Sequence, residues 1–101
     1  MTQTYFDVVV RYQVKPEETE TVLRLLGEMA AATRTEEANL SYEYFQSVED
    51  PTHIVILERY TDAAGFAAHR EYDHVRSIGA EQIIPRLARR TIQTFEGTAE
   101  A

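Results

Sequence analysis

A chain of 101 residues, 44% hydrophobic and 27% charged, is sized and composed for one globular domain with no room for a separate cofactor domain. A formal charge of -7, with Lys15 as the only lysine, works against nucleic acid and anionic membrane surfaces as partners. The absence of cysteine removes disulfides, thiolate nucleophiles and cysteine-ligated metal centres. No apolar run approaches the roughly 20 residues needed to span a bilayer, and Asp7 and Arg11 interrupt the short apolar stretch near the start, so no signal peptide is expected. The expected location is cytoplasmic.

Residues 5–14 alternate, with Phe6, Val8, Val10, Tyr12 and Val14 on one face and Asp7, Arg11 and Gln13 on the other, the pattern of a strand. Pro16 followed by Glu17 and Glu18 reads as a helix start, and Val22, Leu26, Met29, Ala30 and Thr33 continue at helical spacing, predicting a helix over residues 17–34. Gly27 inside it costs about 1 kcal/mol relative to alanine, which close packing on a sheet would explain. Residues 40–48 and 53–60 are rich in Tyr, Phe, Val and Ile around a turn-like Glu49-Asp50-Pro51-Thr52, predicting a hairpin. Asp62 is an N-cap candidate for a short helix through Phe66 and His69. A second helical piece starts near Asp73 and ends at Pro85, residues 89–96 form the last strand, and residues 97–101 form a flexible tail around a core of residues 5–96.

The order β-α-β-β-α-β is the split βαβ, ferredoxin-like arrangement, an α+β fold with a four-stranded antiparallel sheet and helices on one face. Strands one and three are nevertheless apolar on both faces, because Val9, Val55 and Leu57 interleave with Val8, Val10, Ile54 and Ile56. A bare antiparallel face in water should be polar, so a second copy of the chain is expected to cover it, forming a homodimer.

The polar residues that could carry chemistry are Asn39, Glu58, His69 and His74, with Tyr60 and Tyr72 nearby. Glu58 shares strand parity with Ile54, Ile56 and Tyr60, which predicts burial and either a raised pKa or an arginine partner. His69 and His74 stand about 140° apart on an unbroken helix, so they converge only if the chain bends near Tyr72-Asp73. Histidine is the usual acid or base near neutral pH, but capping or core hydrogen bonding would use the same residues. Asn39 precedes a strand, where turn asparagines commonly take left-handed backbone, and tyrosines are commonly half-buried sheet residues. No glycine-rich phosphate loop, Ser-His-Asp pattern, EF-hand or HExxH occurs. The residues alone point to a small-molecule cavity with no assigned reaction, no metal and no cofactor.

The stretch Glu36-Glu37-Ala38-Asn39-Leu40-Ser41-Tyr42-Glu43, then Leu57-Glu58-Arg59-Tyr60-Thr61-Asp62, then Phe66 to His69 and His74-Val75, resembles the antibiotic biosynthesis monooxygenase family. That family's pattern is a Glu-Pro-Gly-Cys-like turn, a Glu-x-Trp strand end and two histidines with four residues between. The resemblance implies a dimeric α/β barrel and oxygenation of a quinol, phenolic or polyketide-like substrate without flavin, haem or metal. It also implies His69 or His74 as the base, Asn39 and Arg59 as oxyanion partners, and Glu58, Tyr60 and Tyr72 around the substrate. Tyr60 stands where tryptophan is common, Ala38-Asn39 replaces Gly-Cys, and Asp73 replaces a proline. The Glu-Glu-x-Asn-Leu segment and the histidine spacing are similarly close to the autoinducer-2 phosphate isomerase branch, which implies a small phosphorylated ketose as the alternative substrate. Haem-degrading relatives use an asparagine on strand one and a histidine late in the second helical segment; residues 5–14 hold no asparagine and no histidine follows His74, so the resemblance disfavours haem. A non-catalytic dimeric binding module is the third reading, since fold does not fix function.

Overall fold

The computed structural model describes residues 4–99, with side chains placed through Gly97. Its elements are β1 (Thr4–Val14), a 3-10 turn (Pro16–Glu18), α1 (Thr19–Thr33), β2 (Asn39–Gln46), β3 (His53–Tyr60), α2 (Ala63–His69), a π-helical segment (Val75–Ile83), a 3-10 turn (Ile84–Arg86) and β4 (Leu87–Ala99). The strands form one antiparallel sheet in the order β2-β3-β1-β4, the ferredoxin-like topology expected from the element order.

Strand alternation decides the core. Phe6, Val8, Val10, Tyr12 and Val14 of β1 and Ile54, Ile56 and Tyr60 of β3 are buried under Val22, Leu25, Leu26, Met29 and Ala30 of α1 and Ile83 of the π-helical segment. The opposite parity forms the other face. There Val9 stands across from Leu57, Leu57 across from Glu43, Val55 across from Phe45, and Asp7 across from Phe95. Leu57, Phe45 and Phe95 remain 40%, 51% and 47% exposed.

Two boundaries differ from expectation. Pro85 does not end the helical backbone, because it sits in the first turn of a 3-10 helix, where its missing N–H costs nothing. The last strand is longer than residues 89–96: it starts at Leu87, and Thr98 and Ala99, expected in the tail, pair with Tyr5 and Thr4. Residues 100–101 of that expected tail lie outside the described residues. β4 is an edge strand whose described side chains are largely exposed, so periodic burial gave little signal for its ends. Among the described residues, no helix is long and apolar enough to cross a membrane.

Candidate active site

Three short segments converge beside the end of β3. The chain leaves α1 in a tight turn, with Glu36 N–H donating to Thr33 O and Asn39 N–H to Glu36 O, and this turn directs the Glu36 side chain inward until it is 3% exposed. Thr61 N–H donates to Ala38 O at 3.0 Å and ties the turn to the end of β3. Asp62 then caps α2, accepting from Gly65 N at 2.8 Å. Gly65 is required for contact: a Cβ there would meet Ala38 Cβ at 2.7 Å. Because residues four apart share a helix face, the close approach at Gly65 places His69 against Glu36 one turn later.

His69 ends α2, and the chain turns through residues 70–72 before helical backbone resumes at residues 73–74 and leads into the π-helical segment, with Tyr72 N–H donating to His69 O and Val75 N–H to Tyr72 O. The bend that the histidine spacing required is therefore present. His69 Nδ1 lies 2.9 Å from Glu36 Oε2 and 3.2 Å from Oε1, and His74 Nε2 lies 2.7 Å from Oε2. Both imidazoles donate to one buried carboxylate. This assigns a proton to His69 Nδ1 and directs Nε2 away from Glu36.

On that side stands Glu58. Its Oε1 is 3.6 Å from His69 Nε2 and accepts the Tyr60 hydroxyl at 2.6 Å. Burial raises the Glu58 pKa, while the Tyr60 hydrogen bond and the nearby His69 pull it down. Burial likewise raises the phenol of Tyr60, reinforced by the Glu58 charge, so Tyr60 remains a donor. The His69 ring is held by stacking on Phe66, with centroids 5.9 Å apart at 17°, and by tilted contact with Tyr60 at 5.4 Å.

His69 and Glu58 open onto a cavity of ≈ 270 Å³ between the sheet and the π-helical segment. Its wall combines apolar and aromatic residues, including Tyr12, Tyr42, Phe66 and Ile92, with the charged Glu58, Arg70 and Arg90. Burial raises the phenols of Tyr42 and Tyr12, and the charge of the nearby Arg90 opposes the latter shift.

The other expected site residues are placed as follows. His74 contacts Glu36 rather than the cavity wall, and Tyr72 is 43% exposed with its ring 5.3 Å from that of His74. Asn39 does not take left-handed backbone; its amide donates to Ser41 O and Arg59 O, beside the bulge that opens between Asn39 and Ser41. Arg59 lies on the opposite face of the sheet, where it donates to Asp7 at 2.7 and 3.0 Å and covers the Tyr5 ring at 4.4 Å. Neither Asn39 nor Arg59 lines the cavity, so they do not supply its oxyanion donors within the chain. The arginines at the wall are Arg70 and Arg90, the latter directly across from Tyr12 in the β1–β4 register. Glu36, Tyr12, Tyr42, Arg70 and Arg90 are polar residues of the site that the sequence reading did not place there.

The model of the family described as "Antibiotic biosynthesis monooxygenase" matches residues 6–81. The chain belongs to the antibiotic biosynthesis monooxygenase family. It is 32% identical over 69 residues to "Putative monooxygenase YcnE" of Bacillus subtilis strain 168, covering 68% of this chain and 73% of that one. A crystal structure described as an antibiotic biosynthesis monooxygenase superposes with a TM-score of 0.85 at 26% identity, covering 92% of this chain and 98% of that one. A conserved protein from Methanosarcina mazei Go1 superposes with a TM-score of 0.88 at 25% identity, covering 95% of each chain. The family match spans the turn that carries Glu36 and both histidines, so the converging cluster lies within the family domain.

Proposed function

We propose that the protein is a cofactor-independent monooxygenase acting on a small quinol, phenolic or polyketide-like substrate, with His69 as the base. The observation that carries this reading is the His69 imidazole, held at Nδ1 by Glu36 at 2.9 Å and lining a cavity that also holds Tyr12, Tyr42 and Phe66. A cavity of ≈ 270 Å³ matches a compact ring system rather than an extended ligand.

His69 Nε2 takes the hydroxyl proton of the bound quinol. The resulting imidazolium lies between the Glu36 and Glu58 carboxyls, and Arg90 offsets the negative charge left on the substrate oxygen. The electron-rich anion then reduces oxygen directly. For a quinol with a free ring C–H, one oxygen atom enters that bond as hydroxyl and the other leaves as water. The quinol becomes a hydroxyquinone and supplies all four electrons, so the balance needs no outside reductant.

The same reading includes a homodimer. Leu57, Phe45 and Phe95 form an apolar surface on the bare sheet face, bordered by the Asp7–Arg59 ion pair, and a second copy is the partner whose surface matches it by twofold symmetry.

Arg70 and Arg90 favour a second reading, isomerisation of a phosphorylated ketose, since guanidinium groups suit phosphate. Against it, the buried Glu58 carboxyl shares the cavity. One experiment tests both. The full chain is incubated with a panel of quinols and phenols under ¹⁸O₂, and separately with phosphorylated ketoses. The expected product carries one ¹⁸O per oxygen molecule consumed. Isomerised phosphosugar without oxygen uptake would replace the oxygenase reading with the isomerase one.

A further inference from the structure

The residues that fix the His69 tautomer also present ligand atoms to one another. One ligand atom each from Glu36, His69 and His74 lies within 4.8 Å of the others, in a site where the side chains are 3%, 8% and 17% exposed. The three come from separate segments: the turn after α1, the end of α2 and the residue that caps the start of the π-helical segment. Two imidazole nitrogens and one carboxylate oxygen form a donor set suited to zinc and similar divalent ions, which bind three protein ligands at ~2.0–2.2 Å and keep a fourth position open. Tetrahedral ligands at such lengths stand about 3.3 Å apart, so the present contacts of 2.9 and 2.7 Å need to open by only roughly half an ångström.

The surroundings supply a second, independent feature. A metal-bound histidine characteristically donates its remaining N–H to a carboxylate, which fixes the ring. Glu58 Oε1 stands 3.6 Å from His69 Nε2, on the far side of the ring from Glu36, and is itself held by Tyr60.

We propose that Glu36, His69 and His74 form an inhibitory binding site for a divalent transition-metal ion of the zinc class. In the metal-free protein the His69 proton is on Nδ1 and the Nε2 lone pair is the base. Coordination takes the Nδ1 lone pair, so the proton moves to Nε2 and is donated to Glu58. His74 likewise carries its proton on Nδ1 when Nε2 binds the ion. Neither imidazole changes its net charge, yet the base facing the cavity is lost. The inhibition rests on His69 being the base of the proposed oxygenase; the binding does not.

The test uses the full chain, stripped with a chelator and titrated with ZnCl₂ by calorimetry. Wild type and His53→Ala, which alters the half-buried histidine at the opposite end of β3 from Tyr60, are expected to bind one equivalent each. Glu58→Gln is expected to weaken binding by the roughly 10- to 100-fold typical of an outer-shell partner, and His74→Ala by more. If His74→Ala fails to fold, nitrogen-15 histidine spectra of the wild type decide instead: Zn²⁺ should move the ring resonances of His69 and His74 and leave His53 unchanged. No saturable binding, equal affinity in His74→Ala, or a shift confined to His53 would overturn the site. Loss of turnover should follow occupancy by Zn²⁺. Binding at the triad with unchanged turnover would overturn the inhibitory role, whereas a protein with no oxygenase activity at all would leave the calorimetry to decide the site alone.

Discussion

Replacing Tyr60 by Phe probes the charge state of the cluster without leaving a large void. Tyr60 is fully buried, and its hydroxyl donates to Glu58 at 2.6 Å. A hydrogen bond to a charged acceptor contributes about 1.5–3 kcal/mol, and one to a neutral acceptor about 0.5–1.5 kcal/mol. The cost of Tyr60→Phe should therefore depend on whether Glu58 is ionised. Burial raises the folded-state pKa of Glu58 above its unfolded value, so its contribution to stability is full below the unfolded pKa and is lost as pH rises through the folded one. The Tyr60 hydrogen bond restrains that rise; without it the folded pKa moves higher and the variant loses more stability as pH increases. Urea unfolding of both proteins across pH 4–8, compared as a difference so that other titrations cancel, should show a penalty of about 0.5–1.5 kcal/mol in acid growing to about 1.5–3 kcal/mol near neutrality. For a domain of this size, each kcal/mol corresponds to about 4–8 °C in Tm. A penalty independent of pH, or one that shrinks as pH rises, would refute the coupling of Tyr60 to a buried, titrating Glu58.

Gly65→Ala should cost about 1–3 kcal/mol by urea unfolding, because its Cβ would lie 2.7 Å from Ala38 Cβ and 3.3 Å from the capping Asp62 oxygen. Gly27→Ala should be neutral or stabilising by up to about 1 kcal/mol, since the new Cβ meets the Tyr44 hydroxyl at an accommodating 3.4 Å; a large loss of Tm would contradict this. Leu57→Arg, on the bare sheet face, should convert a dimer at micromolar concentration into a monomer by sedimentation equilibrium, and a wild type sedimenting at 11.6 kDa at that concentration would remove the dimer.

The architecture was legible because its determinants are periodic. Alternation in β1 and β3 assigns Val8, Val10, Ile54 and Ile56 to the core and Val9 and Leu57 to the other face, and the Asp62 cap marks the start of α2. The same alternation places Glu58 and Tyr60 inside. It also separates Arg59 from them by one residue, so it opposes the cavity role that the family resemblance implied for Arg59. Strand parity was the better guide there. Glu36 was invisible as a partner for a different reason: it lies in a charged turn without periodicity, and its burial follows from the contact between Gly65 and Ala38, 27 positions apart in the chain. Arg90 could have been found from parity with Ile92, but only after the β1–β4 register had paired it with Tyr12. The convergence of the histidines depended on a bend that the sequence allowed and did not require.

Turnover of His69→Ala at matched folded protein tests whether His69, held by Glu36, removes a proton from the substrate in the cavity. With whichever quinol or phenol the wild type oxygenates, the account predicts a fall in turnover of roughly 10²- to 10⁴-fold, the usual contribution of a positioned acid or base, with His53→Ala unchanged. A His69→Ala protein that is fully folded and turns over its substrate at the wild-type rate would contradict the account.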